Sequence, residues 1–288
     1  MNNKFAQLKF ICLECKKSLR AIELGLICDA CQTHIDYREN GALAFATIDD
    51  GVVSDPLDRL KSRLKKFGKL YNVLIDVISP VYPLATIDRK RIVKLANSTE
   101  EVIVNLGGGS SDFGPRVINV DILPYASVDI VSSIDCLPFE DATIDQIINI
   151  AVLEHVPNPI EVVAEFYRVL KPGGKLYCFV PFIQGFHASP WDYQRYTKPG
   201  LMTLFSQFEI VSIKSAGPTS GMLWTLQEWL AVLFSFGSKR VHTLIWLVLL
   251  LITFPIKYLD FFLRHHPLAE NISSGFSVKA VKRVGSQV

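Results

Sequence analysis

The sequence predicts an α/β chain built on a mostly parallel sheet, and three features carry that expectation. Val102-Ile-Val-Asn-Leu-Gly-Gly-Gly109 is an apolar run ending in a glycine cluster, and Val117-Ile-Asn-Val-Asp121 is a second run ending in a lone carboxylate. Ile144–Ile150 and the stretch 174–180 repeat the apolar pattern downstream, with a helical segment between them. Short apolar runs bounded by turn residues read as strands buried on both faces. Glycines and a carboxylate at the carboxyl ends of successive strands suit a nucleoside. The glycines let backbone approach the ligand, and the carboxylate can accept from two ribose hydroxyls.

The first 48 residues read as a small unit of their own. Cys12-x-x-Cys15 and Cys28-x-x-Cys31 stand twelve residues apart, the spacing of a zinc ribbon in which two knuckles supply four thiolates in a tetrahedron. Disulfides are the competing arrangement, and His34 is an alternative to Cys31 as a ligand. A segment this short cannot bury a core, so Zn2+ is its expected stabiliser. Its role is structural, because four protein ligands leave no open position. Cys136 and Cys178 sit singly and read as small core residues. Met1–Phe10 lacks the apolar stretch and cleavage site of a secretory signal.

Residues 49–84 read as a linker followed by an amphipathic helix. Leu57, Leu60, Leu64, Phe67, Leu70, Tyr71 and Leu74 recur at helix spacing. The other face carries Lys61, Arg63, Lys65, Lys66 and Lys69, a solvated face or a contact for anionic lipid or RNA. Ser79-Pro-Val-Tyr-Pro83 ends this helix, and a short helix around 88–96 leads into the first strand.

Strands are then expected near 101–106, 116–121, 128–132, 145–150, 174–180, 207–215 and 275–283. Helices are expected near 158–170 and 198–206, the second capped by Thr197. The glycine cluster does not open a dinucleotide site. Asp112 stands at the third glycine position, Pro115 follows, and the gap from Gly107 to Asp121 is too short for an ordinary strand–helix–strand crossover. No G-x-x-x-x-G-K-[ST] motif is present.

Pro218 to Ser274 separates the last two strands and is the most apolar part of the chain. Thr243–Ile256 contains no charge, and Met222–Phe236 is apolar apart from Gln227 and Glu228. The uncharged run falls short of the roughly 20 residues that span a bilayer, and Pro255 interrupts it. A hairpin dipping into one leaflet, a tilted span and a buried cap stay open. If the sixth strand runs parallel to the first, this insertion starts at the ligand-binding edge. The expectation is that 222–263 meets a membrane surface.

Asp135-Cys-Leu-Pro-Phe139, Leu153-Glu-His-Val156 and Leu170-Lys-Pro-Gly-Gly-Lys-Leu176 complete a series. In order and spacing it resembles class I S-adenosylmethionine-dependent methyltransferases over roughly 85–215 plus the last strand. Pro181-Phe182 and Trp191-Asp-Tyr-Gln-Arg-Tyr-Thr197 look like members found among polysaccharide and cell-envelope biosynthesis enzymes. Ile35 to Phe45 resembles the tail of small zinc-ribbon activators that partner methyltransferases.

The resemblance implies a Rossmann-like seven-stranded sheet formed by 85–217 and 271–288. A zinc ribbon precedes it at 1–48, and an apolar helical insertion at 218–270 lies between its last two strands. It implies S-adenosylmethionine as cofactor. Asn105, Gly107, Gly108 and Gly109 would lie along the adenosyl and methionine parts, and Asp121 on the ribose. Ile122 would flank the adenine, with Ser133, Ile134 and Asp135 at the adenine edge and Ile150 to Val152 along the methyl group. Asn105 and Ser133 stand where relatives often carry acids. A hydroxyl acceptor needs a base within reach. His155, His187, Asp192 and Tyr193 are the candidate catalytic residues, and Arg195 is a candidate partner for an acceptor phosphate or carboxylate. His265 and His266 read as interfacial.

Charges nearly balance, 30 Lys and Arg against 28 Asp and Glu, so bulk electrostatics select no partner. The reading that follows is a cytoplasmic methyltransferase at the inner face of the cell membrane, acting on a glycan or lipid-linked envelope precursor. An RNA methyltransferase is the alternative that the ribbon and the basic helix would suit. The apolar insertion and the lack of an Asn-Pro-Pro-Tyr type motif after strand four argue against nucleic acid. A scaffold with a decayed site is a third reading, and the oligomeric state is left open.

Overall fold

The computed structural model describes residues 3–46, 77, 100–109, 111, 113–187 and 191–285. The expected linker at 49–56, the basic helix at 57–78 apart from Val77, and the short helix at 88–96 lie outside the described residues.

The main sheet begins with β5 (Ile103–Leu106), β6 (Val117–Asp121), β7 (Ile130–Val131) and β8 (Ile144–Ile150). It continues with β9 (Leu170–Pro181), β10 (Glu209–Ala216) and β11 (Gly275–Val281). These are the seven expected strands, and β4 (Leu43–Ala44) adds an eighth, in the order β10-β11-β9-β8-β5-β6-β7-β4. β9 starts earlier than expected because Leu170 already pairs with Ile144 before the register shifts at Gln146. From β9 to β4 all neighbours are parallel, while β11 is antiparallel to both β9 and β10. β10 therefore points the same way as β5. Every residue of β5 and β6 is buried, which explains why their sequences do not alternate. Asn105 and Asn119 face each other across this pair, and Asn105 Nδ2 donates to Asn119 Oδ1 at 3.0 Å. That bond is what lets two amides sit inside apolar strands. Residues 107–116 join the two strands without a helix among the described residues.

Two helices flank the sheet where expected. α1 (Pro159–Val169) starts on a proline and buries Val162, Val163, Phe166 and Val169. α2 (Lys198–Leu204) is capped by Thr197, whose Oγ1 accepts from the Gly200 N–H at 3.3 Å.

The cysteine segment is less separate than its length suggests. β1 (Arg20–Ile22), β2 (Gly25–Ile27) and β3 (His34–Asp36) form a small antiparallel sheet. Phe5, Leu8, Phe10, Leu26, Ile35 and Leu43 join the same core as the main sheet. The Phe10 ring lies 5.9 Å from Phe5 and 5.8 Å from both Phe45 and Phe139. Lys4 pairs with Asp129 at 3.0 Å. β4 then runs beside β7 and covers the sheet edge. The core that 48 residues cannot build alone is thus shared with the main domain.

The insertion is helical. α3 (Pro218–Ser235) leaves β10 directly, and α4 (Lys239–Thr253) returns against it. A 3-10 turn (Phe254–Leu259) and α5 (Asp260–Leu263) follow, so helix runs from Lys239 to Leu263 across Pro255. That run of 25 residues is long and apolar enough to cross a membrane by length and composition, and only 11% of its most apolar window is buried. Its internal charges turn inward: Lys257 and Asp260 are fully buried. Asp260 accepts from the Thr219 and Ser220 backbone N–H groups and from the Ser220 hydroxyl, tying the end of the insertion to its start.

Candidate active site

The strand order reverses between β5 and β8, and the crevice beyond their carboxyl ends is where an open α/β sheet binds ligands. A pocket of about 530 Å3 occupies it. Gly107 lines its floor, and Gly108 follows in the same turn outside the lining. Gly107 has φ +71°, and a Cβ there would come within 2.6 Å of both Val152 methyls. A Cβ on Gly108 would stand 2.1 Å from Asn105 Nδ2. Asp121 ends β6 in the pocket wall. Its Oδ2 accepts from Gly109 N–H at 2.7 Å and its Oδ1 from Leu123 N–H at 2.9 Å. A carboxylate has about four acceptor sites, so two remain for hydroxyls. Burial pushes the Asp121 pKa up, against the Leu123, Gly109 and Ile122 N–H groups that pull it down.

Gly107, Gly109, Asp121, Ile122, Ser133, Ile134 and Asp135 all line this pocket, as do His155 and Tyr193. Asn105 and Gly108 do not. Asn105 is committed to Asn119 inside the sheet, and Gly108 is packed on Asn105. Ile150 points to the other face, against Ile103, Val117, Ile148 and Tyr177, and the pocket wall after β8 is Ala151 and Val152 instead. Alternation along a strand is the reason: neighbouring residues face opposite ways. Tyr125, Glu161 and Trp191 also line the pocket. Trp191 sits in a recognisable segment, but no sequence signal marks the other two.

His187 and Asp192 lie outside the pocket lining, in a buried cluster next to it. Arg195 is committed to Asp192, donating through Nη1 to Oδ1 and through Nη2 to Oδ2 at 2.7 Å. It also donates to the Gly185 carbonyl at 3.1 Å, so it is spent internally rather than free for an acceptor. The Arg195 guanidinium holds the Asp192 carboxyl down to about 2. Glu154 is fully buried, and its Oε1 lies 3.7 Å from Nε2 of both His155 and His187. That carboxylate raises the His187 pKa, against partial burial that lowers it. The sequence offered Glu154 only as a neighbour of His155. Its partnership with His187, 33 positions on, follows from the parallel pairing of β8 and β9.

The four ribbon cysteines converge. Cys12 and Cys31 Sγ are 3.5 Å apart, Cys15 and Cys28 Sγ 3.4 Å, and all four lie within 4.8 Å of one another. Thiolates at about 2.3 Å from one zinc ion would be separated by similar distances, so the set fits Zn2+. Each knuckle turns through a left-handed residue, Lys16 at φ 59° and Gln32 at φ 62°. Cys136 is not a core residue. It is half-buried, and its sulfur accepts from Lys16 Nζ at 3.1 Å, a contact between the first knuckle and the pocket loop.

Residues 110–178 match the family model described as a methyltransferase domain. That match covers 69 of the chain's 288 residues. Curated relatives agree over part of the sequence. A demethylmenaquinone methyltransferase of Anoxybacillus flavithermus is 38% identical over 74 residues, 25% of this chain and 31% of the relative. A ubiquinone biosynthesis O-methyltransferase of Xanthomonas oryzae is 30% identical over 142 residues, 41% of this chain and 59% of the relative. The sterol 4-C-methyltransferase of Caenorhabditis elegans is 37% identical over 81 residues, 23% and 24% of the two chains. The matches thus span less than two thirds of these relatives' lengths. Among solved structures, a Haloferax volcanii complex between the Trm112 methyltransferase activator and a methyltransferase superposes with TM-score 0.47 at 16% identity, covering 81% of this chain and 98% of that one. Burkholderia thailandensis 1,6-didemethyltoxoflavin-N1-methyltransferase superposes with TM-score 0.43 at 16% identity, covering 83% and 94%.

Proposed function

We propose that this chain is an S-adenosylmethionine-dependent methyltransferase whose acceptor is lipid-borne, a glycan or envelope precursor presented at a membrane surface. The observation that carries the cofactor is the Asp121 carboxylate, held by two backbone N–H groups at the mouth of a glycine-floored pocket and keeping two acceptor sites open. The pocket fits a nucleoside without phosphates, since no helix N-terminus follows β5 among the described residues.

S-adenosylmethionine supplies an already activated methyl group, so the protein's tasks are placement and charge management. Asp121 takes the ribose hydroxyls, Ile122 packs beside the adenine, and the 133–135 loop closes its edge. Gly107 against Val152 sets how deeply the ligand seats. His155, Trp191 and Tyr193 form the opposite wall, where an acceptor oxygen approaches and gives up its proton.

The membrane part of the reading rests on topology. β10 is parallel to β5, so α3 leaves the sheet at the pocket's edge. The Trp224 ring lies 5.8 Å from His187. Val232, Leu233 and Phe234 on α3, Leu247 and Leu251 on α4 and Phe262 on α5 are exposed, and large exposed apolar side chains in such number mark an interaction site. The curated relatives named for menaquinone, ubiquinone and sterol modification support acceptors that partition into lipid.

Two measurements test this. Calorimetric titration with S-adenosylmethionine is expected to show binding that Asp121→Ala abolishes; equal binding by both proteins removes the cofactor reading. Flotation with anionic phospholipid vesicles is expected to carry the wild type and to fail for a Leu247→Glu, Leu251→Glu variant; equal flotation removes the membrane reading.

A further inference from the structure

We propose that Glu154, His155 and His187 form a binding site for a divalent transition-metal ion of the zinc class at the rim of the pocket. Three observations lead there. The first is an unmet need. Glu154 is fully buried and neither of its carboxylate oxygens has a hydrogen-bond partner. A buried carboxylate left so is strongly destabilising unless a positive charge sits beside it.

The second is the orientation of the two imidazoles. His155 Nδ1 lies 2.6 Å from the Trp191 carbonyl oxygen, and His187 Nδ1 lies 2.9 Å from the Gly185 carbonyl oxygen. A carbonyl only accepts, so each Nδ1 carries the proton and donates. The Arg195 guanidinium approaches His187 Nδ1 at 3.3 Å, a longer contact than the carbonyl's. Each Nε2 is therefore the ring nitrogen that no backbone carbonyl occupies, and both lie 3.7 Å from Glu154 Oε1. At 3.7 Å both nitrogens stand too far from the carboxylate for a hydrogen bond, while the three ligand atoms lie close enough together to share one metal ion. An Nδ1–H held by a backbone carbonyl is also how metal-binding histidines are oriented.

The third is distance. Zinc–nitrogen and zinc–oxygen bonds of about 2.0–2.2 Å put ligands on one ion roughly 3–4 Å apart. The two carboxylate–imidazole separations fall in that range, and all three ligand atoms lie within 4.8 Å of one another. A small turn of one ring closes the remaining gap. Two imidazoles with one carboxylate and no thiolate favour a borderline ion over Mg2+ or Ca2+. Three protein ligands leave coordination positions open, unlike the four-thiolate ribbon.

The groups packed around the cluster are also accounted for. Asp192 is 3.8 Å from His187 Nδ1 but paired with Arg195, and Cys178 donates to Asn149 Oδ1 at 3.4 Å. The Tyr196 hydroxyl is buried without a hydrogen-bond partner, and burial above all, with the nearby Glu154 charge, raises its pKa, so it stays protonated. The site itself stands apart from the methyltransferase reading. Its use rests on that reading: an acceptor hydroxyl bound to the ion releases its proton to water more readily, because the metal stabilises the alkoxide.

The test counts metal on the full chain. Protein loaded with Zn2+ and passed over a weak chelating resin is expected to hold two ions per chain, falling to one in Glu154→Gln and in His187→Ala. Loading with Cd2+ and recording its nuclear resonance gives a second readout that needs no variant. Two signals are expected, one from a four-thiolate site and one from a nitrogen–oxygen site. One ion per chain in wild type, or a thiolate signal alone, overturns the proposal. Asp121→Ala is expected to keep both ions, so loss of cofactor binding and loss of the metal site are read separately.

Discussion

Replacing Gly107 by alanine puts the pocket floor to a quantitative test. Two costs add. Gly107 sits at φ +71°, where an L-residue pays roughly 1–2 kcal/mol. The new methyl also meets both Val152 Cγ atoms at 2.6 Å, and overpacking of this kind costs about 1–3 kcal/mol. Gly107→Ala should therefore destabilise the chain by about 2–5 kcal/mol, a large share of the roughly 5–15 kcal/mol typical of a domain. Val152→Ala removes the two clashing carbons and leaves only Val152 Cβ, 3.1 Å from the new methyl. In the double variant the backbone cost remains and the steric cost goes. Urea denaturation of wild type, both single variants and the double variant gives the coupling directly. A coupling of about 1–3 kcal/mol in favour of the double variant is expected, together with partial recovery of S-adenosylmethionine binding. Coupling within about 0.5 kcal/mol of zero, or a Gly107→Ala chain as stable as wild type, would refute the account of the turn.

Three further outcomes are expected. Arg195 lowers the Asp192 pKa from 3.8 to about 2. A depressed pKa gives stabilisation that is complete above the unfolded value and lost as pH falls through the folded one. The stability gap between wild type and Asp192→Asn should thus be constant above about pH 4 and shrink from there toward pH 2; parallel urea midpoints through that window would contradict the pairing. With Zn2+ loaded on the four cysteines, its removal should weaken S-adenosylmethionine binding by roughly tenfold, about 1.4 kcal/mol. The Lys16–Cys136 contact and the Ser18–Glu140 bond at 2.7 Å tie the ribbon to the pocket loop and its flank. Calorimetry before and after chelation decides it, and unchanged affinity would separate ribbon from pocket. Asp260→Ala should cost about 3 kcal/mol by stranding the Thr219 and Ser220 donors that it satisfies. Limited proteolysis should then cut first within 218–274, and an unchanged digestion pattern would mean the insertion is anchored elsewhere.

The features legible in the sequence are local. Apolar runs without alternation, glycines before a lone carboxylate, a threonine ahead of a helix and two paired cysteine knuckles each report the conformation or chemistry of their own few residues. The strands, the Thr197 cap, the convergence of the four sulfurs and Asp121 at the end of β6 were legible for that reason. The long apolar insertion was legible too, as composition.

Tertiary structure alone decided which side chains meet. The resemblance placed Asn105 along the ligand, yet its register opposite Asn119 turns it into the sheet. Ile150 and Ala151 differ by one position and so face opposite sides of β8. The ribbon shares a core with the domain because Phe10 reaches Phe139 across a chain separation that no local pattern reports. Glu154 and His187 converge for the same reason: two parallel strands end at one edge, and the loops after them meet there. Contacts between distant segments depend on register and strand order, which are properties of the whole sheet rather than of any stretch of it.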